Sequence, residues 1–216
     1  MIPLKDTPKT RLFPYINISL ILFNVFIFAV QLMLTEQELR LFAHAYGLVP
    51  AQFNASLPGL IPLVSYQFLH GGWLHIGGNM LYLWVFGDNI EDRLGHAKYL
   101  AFYLLVGSLA GITQVLADPA SPVPIIGASG AVAGVLGAYL ISCPRARVIA
   151  LVPAFFFLTL AEVPAIIFLS LWFVLQVFSG VASIGMNITV AWWAHVGGFI
   201  AGLALVGLFG KRITCE

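Results

Sequence analysis

Long apolar runs alternate along the chain with short polar, charged or proline-rich breaks. A hydrocarbon layer ~30 Å thick is crossed by a helix of ~20 apolar residues, and six runs approach that length. They cover residues 15–34, 75–90, 97–117, 127–143, 163–181 and 192–209. The breaks between them are the charged turn Asp88–Gly95, the cluster Asp118, Pro119, Pro122 and Pro124, and Pro144. The pattern predicts an all-α polytopic membrane protein with six transmembrane helices. Two stretches fit it less simply. Val148–Leu160 is apolar but has only 13 residues and contains Pro153, which suits a re-entrant or interfacial segment better than a crossing. Thr35–Pro62 carries proline-rich, amphipathic pieces suited to the membrane interface.

Composition narrows the class further. Of 216 residues, 60% are hydrophobic and 9% charged, against about a quarter charged in soluble domains. A disordered chain, a basic nucleic-acid binder and a water-soluble enzyme are excluded. Residues 1–216 are read as a single compact domain. Charge also sets orientation. With six spans, Lys5, Lys9, Arg11, Arg93, Lys98, Arg145, Arg147, Lys211 and Arg212 fall on one side and Arg40 alone on the other. Basic residues collect on the cytoplasmic side, so both termini are expected there. The first run begins like a signal peptide but is long and has no small-residue cleavage site after it, so it is read as a retained span. Cys143 and Cys215 fall at the inner face, where thiols stay reduced; a structural disulfide is not expected there, nor a metal site.

Polar side chains at membrane depth are costly and mark function or packing. His75 and Asn79 stand at the start of the second run, Ser129 at the start of the fourth and His195 at the start of the sixth. With six spans these three helices run the same way, so all four residues share a depth just below the outer face. Gly127-Ala128-Ser129-Gly130 opens a helix after the proline-broken loop, placing a hydroxyl beside backbone N–H groups that have no helical partner. Ser129 needs a base to become a nucleophile, and neutral His195 is the usual kind. Gly198 and Gly202 form a smooth strip that fits another through Gly130 and Gly134, so the same glycines also read as plain helix packing. His75 and Asn79, at i and i+4, share a face and can both donate to an oxyanion, or act as interhelical glue. His70 is nearer the loop boundary, and no carboxylate lies at this depth to orient His195.

These residues resemble the rhomboid family of intramembrane serine proteases. His75-Ile76-Gly77-Gly78-Asn79 resembles its H-x-x-x-N element, and Glu91-Asp92-Arg93 its E-x-R turn. Gly127-Ala128-Ser129-Gly130 resembles the nucleophile motif, and Ala194-His195-Val196-Gly197-Gly198 the element around the base. Pro144–Val148 and Trp172–Gln176 are similar to the region within and between its fourth and fifth helices. The resemblance covers essentially the whole chain. It implies a six-helix bundle of the prokaryotic form in a plasma membrane, cleaving transmembrane helices of other proteins that enter near the fifth span. It implies Ser129 as nucleophile, His195 as general base, and His75, Asn79 and the Ser129 N–H around the oxyanion, with no cofactor, metal or nucleic-acid partner. Where some relatives carry an aromatic one turn after the serine, this chain has Ala133, which points to Trp192 or Trp193 as the neighbour that orients His195. The first outer loop also lacks a Trp-Arg pair found in part of the family. A non-catalytic rhomboid-like protein that binds membrane helices is the alternative; such relatives lack the serine or the histidine. A transporter would place ionisable groups near the midplane, where this chain has none.

Overall fold

The computed structural model describes residues 1–154, 157–186, 190–209 and 215. In chain order the elements are β1 (Ile2–Asp6), α1 (Tyr15–Leu32), α2 (Glu36–Tyr46), the single turns α3 (Leu57–Leu60) and α4 (Pro62–Ser65), α5 (Trp73–Leu94), α6 (His96–Ala117), α7 (Ser129–Ser142), β2 (Arg147–Ala154), β3 (Phe157–Pro164), α8 (Ala165–Ala182) and α9 (Trp192–Phe209). Four of the helices, α1, α6, α8 and α9, are long and apolar enough to cross a membrane. The protein is a polytopic bundle of membrane helices.

The centre of the bundle is α7. Every residue from Gly130 to Tyr139 is buried, and the helix packs on α9, α6 and α5. Without a hydrophobic drive between helices in lipid, close backbone approach is the main source of association, and α7 provides it through glycine. A Cβ on Gly198 would overlap the Gly130 carbonyl oxygen, and one on Gly202 that of Gly134. At 14 residues, α7 is only about 21 Å long, well short of the ~30 Å layer.

Polar side chains stitch α1 to this centre. Asn17, Asn24 and Gln31 recur every seven residues and are all buried, which puts them on one helix face. Asn17 Nδ2 donates to the Leu83 carbonyl at 2.9 Å and its Oδ1 accepts from Tyr99 OH at 2.8 Å. Gln31 pairs with the backbone of His70, accepting from its N–H at 2.9 Å and donating to its carbonyl at 3.1 Å. Glu91, at the far end of α5, is fully buried. Its carboxylate accepts from the Ile16 and Asn17 N–H groups at 2.9 and 2.7 Å, where the N-terminus of α1 favours negative charge. His96, the first residue of α6, completes that contact.

One expectation is sharpened and one is corrected. Val148–Leu160, expected to be a re-entrant or interfacial segment rather than a crossing, is extended: it runs from β2 into β3, which pair antiparallel with Arg147 opposite Pro164. Chain β1 adds to its other edge, Pro3 opposite Ala150, so the otherwise helical protein carries a small sheet. Asp6 ties that sheet to the bundle, its Oδ2 accepting from Tyr139 OH at 2.6 Å and Asn89 Nδ2 at 2.8 Å. Burial pushes the Asp6 carboxyl up to about 7 despite the Tyr139 hydrogen bond. The correction concerns Cys143 and Cys215, which are joined as a disulfide. Cys215 lies against the end of α7, its N–H donating to the Ser142 carbonyl at 3.1 Å. The resulting Cα separation of 4.8 Å is within the ordinary range for such a bond.

Candidate active site

Ser129 is the first residue of α7, and the segment leading to it is held by backbone hydrogen bonds. Leu48 and Ile125 exchange two of them, at 3.0 and 2.8 Å, and the Gly127 N–H donates to the Tyr66 carbonyl at 2.9 Å. Tyr66 is anchored in turn by its hydroxyl, which donates to the Gly107 carbonyl at 2.7 Å. Gly127 has φ of +126°, a conformation that disfavours a side chain. A Cβ there would also stand 2.6 Å from His75 Nε2. Glycine is therefore required twice over, by the backbone bend and by the imidazole beside it.

The α7–α9 glycine contact brings His195 to Ser129. The Ser129 hydroxyl and His195 Nε2 are 2.8 Å apart, and His195 Nδ1 is 2.9 Å from Gln176 Oε1 on α8. An amide oxygen only accepts, so Nδ1 carries the ring proton. Nε2 is then a lone pair that accepts from the serine hydroxyl. Trp192 stands edge-on to the ring at 5.8 Å and Trp172 lies tilted at 6.2 Å. Of the two tryptophans expected beside His195, Trp192 is there, whereas Trp193 packs toward Gly180. Gln176 closes the Trp172–Gln176 segment that resembles the family, but its place inside an apolar run suggested no role for it. As the lone polar residue among Trp172–Phe178, it carried a signal that could have been used.

His75 and Asn79 face the same cavity from α5. It has a volume of about 940 Å³ and is lined by Tyr66, His75, Asn79, Ser129, Gln176 and His195 among others. His75 Nδ1 accepts from the Gly71 N–H at 3.3 Å, which leaves Nε2 as the N–H, on the side facing Gly127. Asn79 is buried, and its Nδ2 has no hydrogen-bond partner among the described residues. An unpaired buried amide donor is costly, and here it borders a cavity that a polar ligand atom can enter. His70 is buried beside His75, rings 5.1 Å apart. All four polar residues singled out in the sequence thus line one cavity, with Gly127, Gly130 and Gly198 shaping the backbone around it.

Comparison with known proteins shows the family. The family description "Rhomboid domain" matches residues 58–212. The chain is 33% identical over 159 residues to the rhomboid protease GluP of Bacillus subtilis, covering 71% of this chain and 28% of that protein. It is 36% identical over 93 residues to the mitochondrial rhomboid protein 1 of Saccharomyces cerevisiae, covering 41% of this chain and 27% of that one. It is 37% identical over 78 residues to RHOMBOID-like protein 5 of Arabidopsis thaliana, covering 36% and 25%. The aligned regions thus span about a quarter of these relatives' lengths. A match over most of the chain, on a bundle of membrane helices, makes this protein an integral membrane member of the rhomboid family.

Proposed function

We propose that the protein is an intramembrane serine endopeptidase that cleaves transmembrane helices of other proteins by a Ser129–His195 dyad. The observation that carries this reading is the 2.8 Å contact between Ser129 Oγ and His195 Nε2 at the wall of a polar cavity. Ser129 attacks the scissile carbonyl while His195 Nε2 takes its proton, and the imidazolium then protonates the departing amine. Water enters through the cavity and releases the acyl group by the reverse proton path. The oxyanion is held by His75 Nε2–H, Asn79 Nδ2–H and the Ser129 backbone N–H, the last being free because Ser129 opens its helix. The substrate segment must unwind first, since a helical carbonyl is engaged in the i to i−4 ladder and shielded. Entry is placed beside α8, which shares with α1 the least buried apolar window of the four long apolar helices, 28%.

The proposal extends to topology and place. Six spans, carried by α1, α5, α6, α7, α8 and α9 within a single domain over 1–216, put both termini in the cytoplasm and the site near the outer face. Nine of ten basic residues on one side support it. The extensive match to a Bacillus protease favours a prokaryotic plasma membrane. The test is chemical: a fluorophosphonate probe labels the detergent-solubilised protein at Ser129, and a transmembrane substrate is cleaved. Undiminished cleavage by both Ser129→Ala and His195→Ala refutes the dyad.

A further inference from the structure

The dyad has no carboxylate. Among the described residues lining the cavity there is no Asp or Glu, and the titratable groups facing it besides Ser129 and His195 are His75, Tyr66 and Tyr82. What meets the remaining nitrogen of His195 is an amide, Gln176 Oε1 at 2.9 Å. That amide is itself oriented. Gln176 Nε2 donates to the Trp172 carbonyl at 3.2 Å, one turn earlier on α8, so its oxygen is turned to the imidazole. A directed chain results. The Trp172 carbonyl fixes the Gln176 amide, the amide oxygen fixes the proton on His195 Nδ1, and the lone pair on Nε2 is left for the Ser129 hydroxyl. Gln176 is buried, and an amide oxygen there has few other means of being satisfied.

We infer that Gln176 is the positioning residue of this site, selecting the His195 tautomer and ring orientation that a carboxylate selects in a triad; the inference rests on the protease reading above. Its neutrality matters. A carboxylate stabilises the imidazolium by full charge, whereas an amide offers only its dipole, so the base stays weaker and its proton leaves more readily. It also places one determinant of chemistry on α8, the helix proposed to flank substrate entry.

The experiment compares Gln176→Leu and Gln176→Glu with the parent in detergent, using a transmembrane substrate and a fluorophosphonate probe. Gln176→Leu should lower kcat and the probe labelling rate by about tenfold, the effect of one lost orienting hydrogen bond, with KM within twofold. Gln176→Glu should move the acid limb of kcat/KM to higher pH by about one unit or more. While protonated the new carboxyl can donate and hold the wrong tautomer; once ionised it accepts and supports the base. Should Gln176→Leu fail to fold, the pH profile of Gln176→Glu decides alone. A parental kcat in Gln176→Leu, an effect confined to KM or melting temperature, or an unmoved Gln176→Glu profile overturns the inference. Ser129→Ala measured alongside separates the two claims. If it is silent while Gln176→Leu is parental, only the role of Gln176 falls; if it cleaves normally, the protease reading falls first.

Discussion

Replacing Gly202 by alanine tests the packing that brings serine and histidine together. Gly202 lies seven residues after His195 on α9, two turns and about 10 Å away, so the new methyl touches nothing in the cavity. A Cβ there would stand 2.6 Å from the carbonyl carbon of Gly134 and 2.8 Å from its Cα. Carbon atoms rest at about 3.5–4.0 Å, so α7 and α9 must part by about 1 Å. Transmitted along a stiff helix, that opens the Ser129–His195 contact from 2.8 Å toward a distance where no hydrogen bond forms. Overpacking of this kind costs about 1–3 kcal/mol of stability, and a 1 Å misplacement costs about 10² in turnover. The assays are thermal unfolding in detergent and cleavage of a transmembrane substrate. Gly207→Ala is the control: a Cβ there meets nothing within 4 Å, so it should leave cleavage unchanged and stabilise the helix by about 0.5–1 kcal/mol. If Gly202→Ala melts and cleaves like the parent, the glycine contact does not set the geometry of the dyad.

Asn79→Ala removes the proposed oxyanion donor and should lower kcat by about 10²–10³ with KM little changed; equal loss of expression and activity, with normal turnover per folded molecule, would leave only a packing role. Asp6 has its proton affinity raised by burial to about 7, so the folded protein binds a proton that the unfolded chain releases between pH 4 and 7. Stability in detergent should therefore fall as pH rises through that window, by up to about 1.4 kcal/mol per unit, and level off above it. Asp6→Asn should flatten the slope, and an unchanged slope would show that Asp6 is not its source. Gln31→Leu strands the N–H and carbonyl of His70, and should cost about 1–3 kcal/mol of stability; a melting temperature equal to the parent's would mean those groups find other partners.

Much of the site could be read in the sequence because two regularities coincide. The four-residue spacing of Gly130, Gly134, Gly198 and Gly202 specifies which helix faces meet, and Ser129 and His195 sit beside the first contact of each strip. What escaped had no local signature of that kind. Gln176 was passed over because the search for a histidine partner looked for carboxylates. Strand β2 is apolar on both faces from Val148 onward, so Val148 and Ala150 are buried without polar residues alternating between them. Its pairing with β1 joins segments more than 140 residues apart, which no periodicity reports. The pairing of Cys143 with Cys215 joins residues 72 positions apart, a contact that no local pattern reports. Asn17, Asn24 and Gln31 did carry a signal, a seven-residue polar repeat within an apolar run.

The order in which α7 and α9 emerge during synthesis has its own consequence. Serine and histidine are 66 residues apart, and the histidine belongs to α9, the last helix among the described residues. A nascent protein that has threaded α7 but not α9 holds a hydroxyl with no base, and the short, glycine-lined α7 has no partner for its strip. The Ser129–His195 contact then forms in one step, when α9 docks. On the protease reading proposed above, chains that stop short of α9 are inert toward the membrane proteins being inserted around them.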